Sequence, residues 1–193
     1  MRVATINHAS FEWIHHESIG RKEGLSTGQL YIIRDTKTPL PPLKTTLTPL
    51  QTAAITFTDH STRDVRVPMD VIQELKHQLN VFVASGNPST SSEDVDAQVD
   101  DLYVEAAMVV ASYNMVSRFL LATDVAGISD MEVPWPVDKT EVSIFHPFDD
   151  SSLPHHHFMT HLIVALRSQT DECYIICQFR LDYYLNYQPF CSS

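Results

Sequence analysis

Leu102-Tyr103-Val104-Glu105-Ala106-Ala107-Met108-Val109-Val110-Ala111-Ser112-Tyr113-Asn114-Met115-Val116-Ser117-Arg118-Phe119-Leu120-Leu121 forms the centre of a 26-residue window, Val99 to Asp124, without glycine or proline. A helix drawn through it is apolar on nearly all sides, the pattern of a helix buried in the middle of a bundle. Asn114 and Arg118 are four apart and share one of its faces. Nothing in the first 125 or so residues alternates with a period of two, so this region is read as all-α.

Working outward, the flanking segments carry helix punctuation. Gly24 suits the C′ position ending one helix. Ser26 then looks like an N-cap with Gln29 at N3, and Leu25 and Leu30 suit a hydrophobic staple, so a helix is expected to run to about Arg34. The segment Thr36-Lys37-Thr38-Pro39-Leu40-Pro41-Pro42-Leu43 cannot be helical, because its prolines lack the donor and fix φ. Thr48-Pro49 opens another helix, with Thr as cap and Pro at N1, and Leu50, Ala53, Ala54 and Phe57 repeat at helical spacing. A further start at Pro68 leads into a stripe of Val71 or Ile72, Leu75, Leu79 and Phe82. Ser85 to Asp94 reads as a flexible linker.

Beyond Gly127 the character changes. Val133-Pro134-Trp135-Pro136 ends regular structure, and residues 143–193 hold His155-His156-His157 and all 3 cysteines, Cys173, Cys177 and Cys191. The apolar runs from His161 to Leu166 and from Cys173 to Leu185 fit helix or strand equally. The chain has 13 Lys+Arg against 24 Asp+Glu, a formal net charge of -11, and no basic cluster longer than Arg21-Lys22, which disfavours nucleic acid as a partner. No stretch reads as the roughly 20 apolar residues of a membrane span. The first residues lack the apolar core of a secretory signal, so cytoplasmic residence is expected. The cysteine spacing matches neither a zinc knuckle nor a Cys-x-x-Cys redox pair.

Four side chains near the N-terminus attract attention. His8, Glu12, His15 and His16 fall at i, i+4, i+7 and i+8, which a continuous helix would gather on one broad face. A carboxylate beside imidazoles suits acid/base work, and it equally suits a metal or a solvated face. The spacing is not the His-Glu-x-x-His of zinc hydrolases. Arg118, in an apolar helix, requires a partner to offset desolvation; it reads as a structural ion pair or carbonyl cap, or as an anchor for a substrate carboxylate. Thr62-Arg63-Asp64-Val65-Arg66 places two more arginines in a loop, where a solvated turn with a local Asp pair is the plain alternative. The His155-His156-His157 tract has no preorganised further ligand, so no metal site is expected.

Taken together, Phe11-Glu12-Trp13-Ile14-His15-His16, Gly24-Leu25-Ser26, Leu47-Thr48-Pro49-Leu50-Gln51 with Phe57-Thr58-Asp59, Thr62-Arg63-Asp64-Val65-Arg66-Val67-Pro68, and Ser112-Tyr113-Asn114-Met115-Val116-Ser117-Arg118-Phe119 resemble the carboxymuconolactone decarboxylase family, its fungal members especially. The resemblance covers about residues 2–138. It implies the all-α, alkylhydroperoxidase D-like bundle and assembly as a trimer or hexamer. In the peroxidase branch the motif is Cys-x-x-Cys-x-x-x-His; with the histidine at His16, the cysteine positions fall on Ala9 and Glu12, so thiol peroxidase chemistry is excluded there. What the resemblance leaves is a cofactor-free carboxy-lyase in which Glu12 and His16 act as acid and base on a small carboxylated lactone. Arg118, Asn114, Arg63 and His15 then line the substrate. The family's upstream glutamate and its first helices would fall before Met1, so an N-terminally truncated domain over 1–138 is expected. Residues 139–193 are unlike a family tail; their mix of His tract, cysteines and aromatics fits translated non-coding sequence or a genuine extension. A non-catalytic helical oligomer is the alternative, and a peroxidase using the tail cysteines a more distant one.

Overall fold

The computed structural model describes residues 1–42, 46–86 and 91–138, together with the backbone of 162–166 and 174–179. Helix starts follow local caps. Ser26 opens α3 (Thr27–Arg34): its hydroxyl accepts from the Gln29 N–H at 3.2 Å, and Gln29 Oε1 accepts from the Ser26 N–H at 2.9 Å. The capping box expected from the sequence is therefore formed. Thr48 caps α4 (Pro49–Arg63) with Pro49 in its first turn, and Gln51 completes a second capping box.

The ends of α1 (Arg2–Ile6) and α2 (Ser10–Lys22) share one geometry. After α2, Gly24 has φ +92°, the Leu25 N–H reaches the Gly20 carbonyl at 2.9 Å and the Gly24 N–H reaches Arg21 at 3.1 Å. This is a Schellman motif, with glycine in the left-handed position it favours. After α1 the same two bonds run from Ala9 to Ala4 at 2.8 Å and from His8 to Thr5 at 3.4 Å, with His8 at φ +60°. His8 is thus the C′ residue of α1 and lies outside α2. The single face expected for His8, Glu12, His15 and His16 is broken at its first member.

Two further helices complete the bundle, α5 (Met69–Gly86) and α6 (Ser92–Ala122). The linker expected over Ser85 to Asp94 is shorter than read: Ser85 and Gly86 end α5, Ser91 caps α6 through the Asp94 N–H, and residues 87–90 lie outside the described residues. α6 therefore starts a full two turns before Val99. Its predicted burial on all sides is also corrected, because Val104, Met108, Met115 and Phe119 are each more than half exposed. Helix α6 is long and apolar enough to cross a membrane by length and composition alone, which the sequence reading denied of any stretch. In α4 the buried apolar positions are Ala53, Ile55 and Phe57, with Ala54 turned outward. Within α5, Leu75, Leu79 and Val83 are buried, and Phe82 packs at the edge.

The fold is all-α, as expected, through residues 1–138. Its core is divided. One cluster joins α1, α4, α5 and α6 through Val3, Phe57, Leu75, Leu79, Val99 and Tyr113. The other joins α1, α2, α3 and α4 through Ala4, Trp13, Ile33 and Ile55, and Val133 closes it from the strap that follows α6. Neighbouring residues Val3 and Ala4 face opposite clusters, so the short α1 lies between them. In residues 139–193 the two undecided apolar runs contain an antiparallel pair, β1 (Leu162–Leu166) and β2 (Tyr174–Phe179), with Leu162 opposite Phe179 and Leu166 opposite Tyr174. Cys177 lies in β2, while Cys173, Cys191 and His155-His156-His157 lie outside the described residues.

Candidate acid/base site

Glu12 is the third residue of α2, where a carboxylate would ordinarily be solvated near the helix N-terminus. Here it points inward and is 2% exposed. Its Oε2 accepts the Ser117 hydroxyl of α6 at 2.5 Å, and its Oε1 is buried without a hydrogen-bond partner among the described residues. Burial pushes the carboxyl above its ordinary value of 4.5; the Met1 amino group and the Ser117 hydroxyl pull the other way without reversing it. The next residue, Trp13, is also fully buried with its indole Nε1 unpartnered among the described residues. Two adjacent orphaned polar atoms in a helix are unusual, because buried polar groups are normally satisfied.

One turn further along α2, His16 is half-buried and meets Tyr113 of α6 edge to face, with ring centroids 5.1 Å apart. Its pKa is lowered from 6.5 to about 3, first by burial, then by the Met1 amino group and His15. At neutral pH its imidazole is therefore uncharged. Glu12 and His16 are four apart on α2, and their contacts Ser117 and Tyr113 are four apart on α6. The two i, i+4 pairs face each other across the helix junction. Burial thus biases both groups toward their uncharged forms, a carboxylic acid that can donate a proton and an imidazole that can accept one.

The remaining sequence-selected residues are placed differently. Asn114 is buried, and its amide is committed: Nδ2 donates to Thr62 Oγ1 at 3.1 Å and to the Val110 carbonyl at 2.9 Å, and Oδ1 accepts from Asn7 at 3.1 Å. It ties the end of α1, the last turn of α4 and α6 together. Arg118 is exposed, so the desolvation argument for it does not hold; Nη1 caps the Asn114 carbonyl at 3.1 Å. Thr62 and Arg63 belong to α4 rather than to a loop, and Arg63 donates to the Thr36 carbonyl at 3.0 Å. The expected local Asp pair of that turn is instead His60 with Asp64, at 2.9 Å. His15 points outward, stacked on Phe11 at 4.2 Å.

Ser117 and Tyr113 were missed as site residues. Their signal was available in part, as a serine one turn from a tyrosine in an otherwise apolar helix, but which face of α6 meets α2 is a tertiary fact. A shallow, mostly apolar depression of only about 10 Å³, room for one water molecule, lies nearby between Ala9 to Phe11 and the end of α6 at Leu120 and Leu121. No protein-family model, curated protein sequence or solved structure matches the chain.

Proposed function

We propose that this chain is a carboxymuconolactone decarboxylase-like carboxy-lyase that acts on a small carboxylated lactone by acid/base chemistry without a cofactor. One observation carries the reading: Glu12 Oε1 is buried, unpartnered among the described residues, and belongs to a carboxyl held toward its protonated form beside a neutral histidine. The motif resemblance around Glu12 and His16 supports the same assignment. In the proposed reaction the bond to the substrate carboxylate breaks and CO2 departs. The electron pair delocalises into the lactone enol system, and the γ carbon takes the proton that Glu12 holds. The step leaves Glu12 as a carboxylate, which takes back one proton from solvent, relayed by the neutral imidazole of His16, before the next turnover. Arg63 and Arg118 are the two cations offered for the substrate carboxylate; Asn114, whose amide is committed to protein partners, and His15, which points outward, are not assigned a part in binding it. The family's assembly as trimers or hexamers and a cytoplasmic setting belong to the same proposal.

Turnover of 4-carboxymuconolactone, followed as CO2 release, tests it. Glu12→Gln and His16→Ala are each expected to lower kcat by at least about a hundredfold, the usual range for removing an acid/base group, while both proteins stay folded by circular dichroism. Unchanged turnover in either variant removes that residue from the mechanism. A second reading, a non-catalytic helical subunit, draws on the full commitment of the Asn114 amide to protein partners. A folded wild-type chain without lactone turnover would favour it.

A further inference from the structure

Ser117 is fully buried on α6, and its hydroxyl makes one hydrogen bond among the described residues, to Glu12 Oε2 at 2.5 Å. That bond replaces a local one. Thr52, Thr56, Thr58 and Thr123 each turn their hydroxyl back to the carbonyl four residues earlier, at 2.7 to 3.1 Å. Ser117 instead donates across the junction to α2. Glu12 Oε1, by contrast, is buried with no partner among the described residues. The two oxygens of one carboxyl therefore have different surroundings, and in the acid form only one of them carries the proton.

A proton on Oε2 would have to be donated to Ser117 Oγ. The serine proton would then lack an acceptor among the described residues, and Oε1 would be an unsatisfied carbonyl oxygen as well. With the proton on Oε1, the serine donates to Oε2, and the same bond persists after the proton leaves, because a carboxylate only accepts. Resting on the carboxy-lyase reading above, we propose that Ser117 is a positioning residue for this reaction: its donated bond fixes Oε2 as the carbonyl oxygen of Glu12, so that Oε1 holds the proton delivered to the substrate. Delivery breaks the Oε1–H bond and forms a C–H bond at the γ carbon. The electron pair for that bond arrives through the lactone enol system from the bond to the departing CO2. The negative charge left on Glu12 is shared with an oxygen that Ser117 already holds, so no donor has to reorient as the charge develops. Ser117 itself does not touch the substrate.

Infrared difference spectra of the full chain, each protein against its Glu12→Gln counterpart, isolate the C=O band of the Glu12 acid below pH 4.5, where the fold keeps it protonated. Ser117→Ala, and the nearly isosteric Ser117→Cys with its weak thiol donor, should each move this band to higher wavenumber, because the carbonyl oxygen loses its hydrogen bond. In turnover of 4-carboxymuconolactone both should lower kcat about tenfold and leave KM within about twofold. Both should also carry the alkaline limb of kcat/KM to higher pH, since the bond removed favours the carboxylate. The other charged and titratable groups at the junction, the Met1 amino group, His16 on α2, and Tyr113 and Arg118 on α6, are the same in every variant. A merely structural serine would cost stability without moving the band or the limb. In the Glu12→Gln background Ser117→Ala should lower kcat no further. A band that stays in place when Ser117 is replaced puts the proton on Oε2 and overturns the proposal, as do an unchanged kcat and an unmoved limb in an enzyme that turns the lactone over. A wild type without lactone turnover overturns the reaction and with it the catalytic role of Ser117, while the band still decides where the Glu12 proton sits.

Discussion

Glu12 and His16 depart from their ordinary pKa values in opposite directions for one reason: both charged forms are desolvated at the α2·α6 junction. The consequence for stability follows from proton counting. His16 titrates at about 3 in the fold against an ordinary 6.5, so below pH 6.5 the unfolded chain binds a proton that the fold refuses, and stability is lost as pH falls toward 3. Glu12 is raised above 4.5, so above that pH the fold retains a proton that the unfolded chain has released, and stability is lost as pH rises through its folded value. Over the part of the window between 4.5 and 6.5 in which folded Glu12 stays protonated, the two slopes cancel. Urea titrations there are expected to show a flat wild type. Glu12→Gln should leave only the histidine slope, with stability rising with pH, and His16→Gln only the glutamate slope, with stability falling. Each slope is bounded by about 1.4 kcal/mol per pH unit. Parallel profiles for the three proteins would refute the burial of these charges. Glu12 and His16 stood out in the sequence by spacing and motif, but a charged residue in the first turn of a helix ordinarily faces water. Only the packing of Ser117 and Tyr113 against α2 turned them inward.

α1 is one and a half turns long and yet touches both core clusters. Its anchor is Arg2, 7% exposed, whose Nε and Nη2 bond the two Asp59 carboxylate oxygens at 2.5 and 2.6 Å. Nη1 also reaches the carbonyls of Ile32, Ile33 and Asp35, at 2.8 to 3.1 Å. One guanidinium therefore caps the C-terminal end of α3 and pairs with α4. Such a cap satisfies carbonyls that a helix end leaves without partners. Arg2→Ala strands Asp59 and those carbonyls together, and a loss of about 3 to 5 kcal/mol by denaturant titration is expected. A loss under 1 kcal/mol would mean that the pair behaves as an ordinary surface bridge. The sequence contained no signal for this: Arg2 and Asp59 are 57 positions apart, and Phe57-Thr58-Asp59 attracted notice only as part of a motif. The caps at Ser26 and Thr48 were legible because each involves residues three apart, within reach of local geometry.

At the scale of the whole molecule, the strap after α6 closes the second core. Val133 is 1% exposed, and its carbonyl receives Arg34 Nε at 2.9 Å. The Arg34 guanidinium lies 4.5 Å from the centroid of the Trp135 ring, which stacks on Tyr31 at 5.6 Å, and the Val137 carbonyl receives Arg21 at 3.0 Å. Ser10 donates to the Met131 carbonyl at the start of the strap. Its prolines end regular structure, as the sequence indicated, yet the segment functions as a tie across α2 and α3. Val133→Ala is expected to lower unfolding free energy by about 2 kcal/mol, as a cavity in a small cluster. A chain ending at Glu132 should melt well below one ending at Asp138, and equal melting temperatures would show that the strap adds nothing.

The sequence by itself determined the helical class and some of the helix ends: an all-α bundle through residue 138, the Ser26 and Thr48 starts, the Gly24 stop and the long apolar element that became α6. These follow from backbone preferences and contacts within a few residues, so a linear reading reaches them. It misjudged what depends on facing partners. The periodicity of α6 showed that the helix was apolar but not that one apolar face would remain in solvent, and His8 looked helical until a left-handed residue separated α1 from α2. Tertiary structure alone decided that Glu12 would lose its water and that Arg118 would keep its own. It likewise joined Asn114 to Asn7 and Thr62, from residues up to 107 positions apart. Burial and hydrogen-bond partnership are properties of the assembled bundle, and no residue carries them until the helix opposite is in place.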